Sequence, residues 1–457
     1  MPFAPIPINT GTVPDWNTRF GFPSIRNMFV GSSGNLYSTA GLDSIANLSG
    51  VRGFYETKYN GGSYFAVTKN QILNITYGGA IFLIKNILDS NLPVQIDENL
   101  RNQIVISDCT NGYVYDQQTS VFTQLSAANN FEITNPVSVI VVNSFAIWLD
   151  GKTGVWIWSN PNNAIAYNPL NQNQIDNNLS IGMGLEKLES NFYIFGSTGI
   201  ERWQPTLSSN IYISPFQKDT NFMVDFGAIS TDSIINSVNK IYFLSSRYLP
   251  MEITASGWNY LPNLSPDSPI CVGISKIISE YPDVKRCYGS FYSFRGNFFY
   301  HLSFLQSGIA WVWCESSQKW ALSDDLIVGA SRTSESIALQ DGIYTLTLAP
   351  ANIKRELVLK RLCENKKIGT FRNLLKGVSL DIVQGSSQFN LNHVQLAISK
   401  DSRQWQNTVS RPIGKTGQTQ CPLQWMCVVS FRHEITLKFT FYGELDFAIE
   451  GCNANIN

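Results

Sequence analysis

Seven times between Tyr64 and Leu346 the chain repeats one phrase: an apolar, aromatic-rich run, a turn bearing Gly, Ser or Asn, and a second apolar run. The pairs are YFAV (64–67) with ILNI (72–75), IVI (104–106) with YVY (113–115), FAIW (145–148) with VWIW (155–158), and FYIF (192–195) with IERW (200–203). IYFL (241–244) with LPMEI (249–253), FFYH (298–301) with IAWVW (309–313), and IAL (337–339) with IYTL (343–346) complete the set. Successive first runs begin 40, 41, 47, 49, 57 and 39 residues apart, close to the roughly 40–50 residues of one four-stranded propeller blade. A lone hairpin cannot bury its own apolar face, so the repeats must stack on one another around a ring. The expected fold is all-β: a β-propeller of six or seven blades over residues 51–350, followed by a small C-terminal β-sandwich. Six blades would result if the first and last hairpins shared one sheet.

Composition supports this class. Only 15% of the 457 residues are charged and 12% are aromatic, the balance of strands joined by polar turns. The formal net charge is −1, so no global field draws in nucleic acid, and any DNA contact must be local or non-specific. The first residues lack a basic stretch and are interrupted by proline, so no secretory signal is expected. No run of about 18 apolar residues is present, and no membrane span is expected. The cysteines are scattered without CxxC spacing and read as buried thiols, with a bridge among Cys421, Cys427 and Cys452 as the alternative.

Around the repeats, residues 1–50 are rich in Pro, Gly, Asn and Ser and read as an extended arm ending in a strand that leads into the ring. Residues 160–178, dense in Asn and Gln, read as a long polar loop between blades, and 262–269 as a second loop. Ile274, Ile277, Ile278 and Tyr281 have helical spacing, so one amphipathic helix is expected there, either packed on the outside of a blade or docking a partner. Residues 351–376 read as a basic linker. Lys354, Arg355, Lys360, Arg361, Lys366, Lys367, Arg372 and Lys376 face only Glu356 and Glu364 in the stretch from Lys354 to Lys376. They are either a solvated linker or a contact to acidic protein surface or DNA. Lys360, Arg361, Lys366, Lys367 and Arg372 are the candidate interaction residues. Alternating strands resume over 377–457, where Ser399, Asp401 and Trp405 follow Asp-box spacing but Arg403 replaces the usual glycine. Such a turn stabilises a hairpin.

No catalytic pattern stands out. His301, His393 and His433 are far apart and have no zinc-ligand spacing. The phosphate-binding loops and the nucleophile-elbow motif are missing. A sialidase-like site is the enzymatic alternative, drawing on Arg52, Arg101, Arg202, Arg247, Tyr55 and Glu201, but nothing in their spacing selects them. No enzyme activity and no cofactor are expected.

Three stretches together resemble the packaged-DNA stabilisation, or tail hub, proteins of short-tailed double-stranded DNA phages. The first runs from Arg26, Asn27, Met28 and Phe29 through Gly41 to Gly50, Val51, Arg52 and Gly53. The second is FGSTGIE at 195–201, and the third runs from LAISKD at 396–401 through LKFTF at 437–441 to IEGC at 449–452. The resemblance implies a virion protein assembled in the host cytoplasm and placed in the tail below the portal-adaptor protein. There it would form a ring, a hexamer by this resemblance, that closes the DNA channel, retains packaged DNA and anchors a tail needle or tailspikes. Double-stranded DNA would pass it without specific contacts, since each neutralised phosphate adds affinity that would stall ejection. The alternative is a carbohydrate-binding or glycan-processing propeller.

Overall fold

The computed structural model describes residues 4–6, 12–13, 22–23, 25–176, 180–206, 214–222, 224–261, 268–281, 287–331, 333–348, 354–362, 373–384, 392–400, 404–413, 421–431, 434–443 and 447–456. Within them, seven four-stranded antiparallel units follow one another. Blade 1 is Gly53–Thr57, Ser63–Val67, Gln71–Thr76 and Ile81–Asn86. Blade 2 is Gln95–Glu98, Gln103–Ser107, Gly112–Asp116 and Val121–Gln124. Blade 3 is Pro136–Val142, Phe145–Asp150, Val155–Asn160 and Asn163–Gln174, and blade 4 is Gly182–Leu188, Asn191–Gly196, Ile200–Pro205 and Phe216–Lys218. Blade 5 is Ile235–Asn236, Ile241–Leu244, Pro250–Thr254 and Gly257–Tyr260. Blade 6 is Tyr288–Phe294, Asn297–Phe304, Ile309–Cys314 and Lys319–Ser323. The repeated phrases are the middle two strands of each blade, which explains their unbroken apolar character: both faces are covered by neighbouring blades.

Blade 7 contributes Gly329–Ala330, Ser336–Leu339 and Gly342–Thr347, and its fourth strand is Gly41–Asn47 from the other end of the chain. This N-terminal strand completes a seventh sheet, so the first and last hairpins do not share one. The innermost strands touch in cyclic order and the last returns to the first, closing the ring.

Local chemistry sets the turns. The Asp108, Asp116 and Asp150 carboxylates each accept two backbone N–H bonds from the turn that follows, the Asx geometry that mimics a backbone turn. Asn143 and Ser144 both hold positive φ, of 46° and 77°, as a two-residue hairpin turn requires. Between blades the seams are aromatic. Trp156 lies 4.8 Å from Trp203 and 5.4 Å from Phe192, centroid to centroid, edge-on contacts worth about 1 kcal/mol each beyond the area they bury. The helix Pro269–Glu280, capped by Ser268, buries Ile270, Ile274, Ile277 and Ile278 with Leu261 and Trp311. Its apolar face is used within the chain.

The second module is a two-sheet sandwich. One sheet orders Cys421–Phe431, Asn373–Gln384, Phe447–Ile456, Leu36–Ser38 and Met28–Val30, with Ala4–Ile6 also paired to Phe447–Ile456. The other orders Ile25–Arg26, Arg355–Leu362, Glu434–Tyr442 and His393–Ser399, whose outer edge takes Gln406–Asn407 and Arg411–Pro412. Ile25, Met28, Leu36, Leu357, Leu359, Leu380, Phe439 and Ile449 meet in a single core. Arg26 also pairs in parallel with Leu322, so blade 6 and the sandwich share one continuous sheet.

Three expectations are corrected. The N-terminal arm supplies sandwich strands in addition to the strand that closes the ring, because its apolar residues Ile25, Met28 and Leu36 have a core to enter. The Asn/Gln tract is not a loop: Asn163–Gln174 is the outer strand of blade 3, where amide side chains face solvent while Ala164 and Tyr167 turn inward. The basic linker is strand at both ends, Arg355–Leu362 and the start of Asn373–Gln384. Leu357 and Leu359 are fully buried, so this half of the segment is a core strand with cations beside it.

Candidate functional site

The ring axis is where all blades converge. It encloses a cavity of about 430 Å³ lined by the innermost strand of every blade. Sequence reasoning named only Arg52, Gly53 and Tyr55 of its walls. The others were legible in principle, since each innermost strand immediately precedes a repeated hairpin. Gly289 shows how tight the packing is, because a Cβ added there would come within 2.6 Å of the Ser233 carbonyl oxygen.

The wall carries Glu56, Asp97, Glu98, Glu186 and Asp232 against Arg52, Lys58 and Lys187, an acidic excess in an otherwise near-neutral chain. The charges are tied into the scaffold. Lys187 Nζ lies 2.5 Å from Asp97 Oδ2 and donates to the Val141 carbonyl at 3.0 Å, while Asp97 Oδ2 accepts from Val141 N–H at 2.7 Å. Blades 2, 3 and 4 are thereby joined at the axis. Glu98 accepts from Thr57 Oγ1 at 2.9 Å and Gln117 Nε2 at 2.6 Å. Burial, aided by the charge of Asp97, holds the carboxyl of Glu98 above the usual range despite these bonds. Glu56 shifts the other way: burial raises it, but hydrogen bonds from Ser331, Thr333, Tyr77 and Ser334 together outweigh that and hold it low. Since Ser331 precedes the second strand of blade 7, Glu56 fastens the first blade to the last.

Arg52 is 3% exposed and clamps the seam of blades 1 and 2. It donates to the carbonyls of Thr68 and Leu92 at 2.9 Å each and lies 3.8 Å from Asp108. Burial lowers its pKa, partly offset by Asp108. Tyr55 lines the same cavity, but Arg101, Arg202, Arg247 and Glu201 of the sialidase-like set are not brought to it. Arg202 pairs with Asp219, Arg247 with exposed Asp225 at 3.0 Å, and Glu201 accepts from Lys218 at 2.7 Å, all on blades 4 and 5 or the connections beside them. Arg101 sits on an exposed turn of blade 2. Among the described residues no group of three or more His, Cys, Asp or Glu is placed to hold a metal ion.

This axis is a fastened hub rather than a conduit. Its void is that of a small-molecule pocket, and its acidic excess opposes a duplex that carries one negative charge per ~1.7 Å. Residues 6–251, a little over half the chain, match the family model Phage_stabilise, described as "Bacteriophage P22 Gp10, beta-propeller". The chain belongs to this phage stabilisation family. It is a phage DNA-stabilisation protein and a component of the virion. No curated protein matches it. Among solved structures it is similar to virginiamycin B lyase from Staphylococcus aureus, at 12% identity over 66% of this chain and 97% of that one, with a TM-score of 0.45. It is also similar to the extracellular domain of a one-component system of B. thetaiotaomicron, at 9% identity over 87% of this chain and 58% of that one, with a TM-score of 0.42. Likenesses this distant carry no argument about chemistry.

For this family member the five basic candidates separate. Lys360 and Arg361 lie on the strand Arg355–Leu362, opposite Thr436 and Ile435. Lys366, Lys367 and Arg372 lie outside the described residues, as do Asp401 and Arg403 of the Asp-box pattern. Trp405, its last member, lies beneath Lys438, whose Nζ is 4.7 Å from the ring centroid. Cys427 and Cys452 are free thiols.

The meeting of buried His301 with the half-buried Asp325 was not foreseen. His301, 1% exposed on blade 6, donates from Nε2 to the Asp325 carbonyl at 2.9 Å, and burial lowers its pKa to about 4. The Asp325 side chain borders a small void walled by Met28, Phe29 and Tyr292, and burial raises its pKa to about 6, aided by Asp324. The only signal in the sequence was the doublet Asp324–Asp325, which reads as an ordinary solvated turn.

Proposed function

We propose that this protein is a structural ring subunit of the phage tail, a hub or nozzle below the portal-adaptor protein that retains packaged DNA and anchors a needle or tailspikes. The observation that carries the reading is the family match over residues 6–251. The hub supports it, because ion pairs and hydrogen bonds fasten neighbouring blades at the axis, as a load-resisting part requires. DNA would then pass through a channel formed between copies, not along the blade axis. In this reading the subunit needs no cofactor and performs no chemistry, and it joins the particle in the host cytoplasm. Particles assembled without this chain should fill with DNA and then lose it, and density for the chain should lie at the tail vertex. Particles that keep their genome without it would defeat the reading.

Within that assembly, some of Lys360, Arg361, Lys366, Lys367 and Arg372 would face acidic surface on a neighbouring tail protein or the DNA channel. Interface charge mainly sets docking orientation and association rate. Reversal of Lys366 and Lys367 to glutamate should leave the monomer folded and give particles that leak DNA or fail to add the tail tip. Normal infectivity of that variant would remove these residues from the interface.

A further inference from the structure

Two strand edges of this chain are apolar and open to solvent, on different modules. Ile81–Asn86 is the outer strand of blade 1 and pairs only with Gln71–Thr76 among the described residues. Ile81, Phe82 and Leu83 are 46%, 56% and 54% exposed, so both faces of this edge are apolar. Beside it, a groove of about 550 Å³ runs between blades 1 and 2, with Phe82, Leu83, Tyr115 and Phe122 in its walls. Cys421–Phe431, the distal edge of the sandwich, pairs only with Asn373–Gln384 among the described residues. Trp425 points inward there, while Met426 and Val428 stand 79% and 77% exposed on the outer face. An open apolar edge is an association site unless something covers it. This chain carries one edge flanked by a groove and one edge that presents knobs.

We infer that the two edges pair head to tail between copies of this chain: Cys421–Phe431 of one copy adds to Ile81–Asn86 of the next, and Met426 and Val428 enter the groove between blades 1 and 2. Strand addition satisfies the open backbone groups, and the alternating side chains set the register. Methionine is suited to filling an irregular apolar slot. A contact between two different surfaces propagates, and it forms a ring when its rotation closes. The sandwich extends blade 6 outward from that blade's outermost strand. Cys421–Phe431 stands at the far end of the sheet whose other end, Met28–Val30, lies against the outer strand of blade 6, and the edge on blade 1 is two blades further around the ring, so the two edges occupy different parts of the rim, as a ring-forming contact between copies requires. Self-pairing of Ile81–Asn86 would instead produce a two-fold dimer with no role for the sandwich edge.

This inference rests on the reading of the chain as a ring subunit, and mass photometry of the purified full chain separates the two. Two variants are made, Phe82→Glu with Leu83→Glu, and Met426→Glu with Val428→Glu. All four positions are exposed, and circular dichroism checks that the fold is kept. The wild type should give closed oligomers of one defined size. Each variant should be monomeric, with at least a tenfold loss of assembled mass. Mixed one to one, the variants should form a heterodimer and stop there, because each retains one intact edge. In the assembled wild type, the amides of Ile81–Asn86 should gain protection from hydrogen exchange. A wild type that stays monomeric overturns the ring reading and the inference with it. Assembly undiminished in both variants leaves the ring standing and overturns this surface. Monomeric variants that form no heterodimer overturn the head-to-tail pairing in favour of a two-fold edge contact or a foreign strand.

Discussion

The propeller and the sandwich are both antiparallel β with aromatic and aliphatic cores, yet they are built at opposite sequence distances. Inside blades 1 to 6 every strand pairs with its neighbour in sequence, and most reversals take a few residues. In the sandwich, Ala448 and Ile449 pair with Tyr37 and Leu36, and Glu356 and Leu357 pair with Arg26 and Ile25. Local ladders form with little loop-closure cost, whereas pairings across several hundred residues must wait until both ends are present. The difference predicts that the propeller is self-sufficient and the sandwich is not.

The severest test removes residues 1–39 while keeping the ring-closing strand Gly41–Asn47. Blades 1 to 5 should retain slow hydrogen exchange and protease resistance, while residues 373–456 lose both, since the sandwich core forfeits Ile25, Met28 and Leu36. A sandwich that survives the deletion breaks the comparison. A milder test sets Leu36→Ala against Ile104→Ala, both at positions with no exposure. Each should cost about 2–5 kcal/mol, but in urea unfolding with module-specific probes the first should shift the sandwich transition and the second the propeller's.

The seam between the modules responds to pH. The carboxyl of Asp325, raised to about 6 from an ordinary 3.8, costs stability once it ionises, so its contribution worsens as pH rises from about 4 through 6. Asp325→Asn should therefore raise the melting temperature at pH 7–8, a gain of at most about 3 kcal/mol that fades to nothing near pH 4. His301 has the opposite sign. With its pKa lowered to about 4, it must take up a proton on unfolding in acid, and its stabilising effect is lost as pH falls from about 6.5 toward 4. Melts of the two single variants across this range should diverge. The smallest effect belongs to Arg26→Ala, which deletes the 2.5 Å contact to Asp324 at the same seam. Both side chains are more than a third exposed, so thermal melts should register less than about 1 kcal/mol.

Legibility followed the same divide. The hairpins were visible because buried middle strands are apolar on both faces and recur at blade length. The arm was expected to end in a strand leading into the ring, but that strand's pairing with the last blade and the arm's place in the sandwich were not visible, since a strand such as LYS at 36–38 carries no mark of a partner four hundred residues away. Charge misled at 354–362, where the alternation of Leu357 and Leu359 was present but overshadowed by the lysines and arginines around it. Polarity misled at 163–174, because an outermost strand needs few apolar residues on its free side. The hub residues escaped because they come from seven strands scattered along the sequence, and Lys187 finds Asp97 only after three blades are in place.

The last blade also determines how the ring can come undone. Gly41–Asn47 lies antiparallel on Gly342–Thr347 along its full length, and the residues on either side of that junction, Leu36–Ser38 and Arg355–Leu362, are sewn into the sandwich. Tension on either terminus reaches the sandwich before it reaches the blade, so the fastening cannot be peeled one hydrogen bond at a time from a free end. Outward pressure on the ring instead loads the whole ladder at once. The chain is in effect a belt with its buckle tucked beneath a flap, and the flap is the module that must open first.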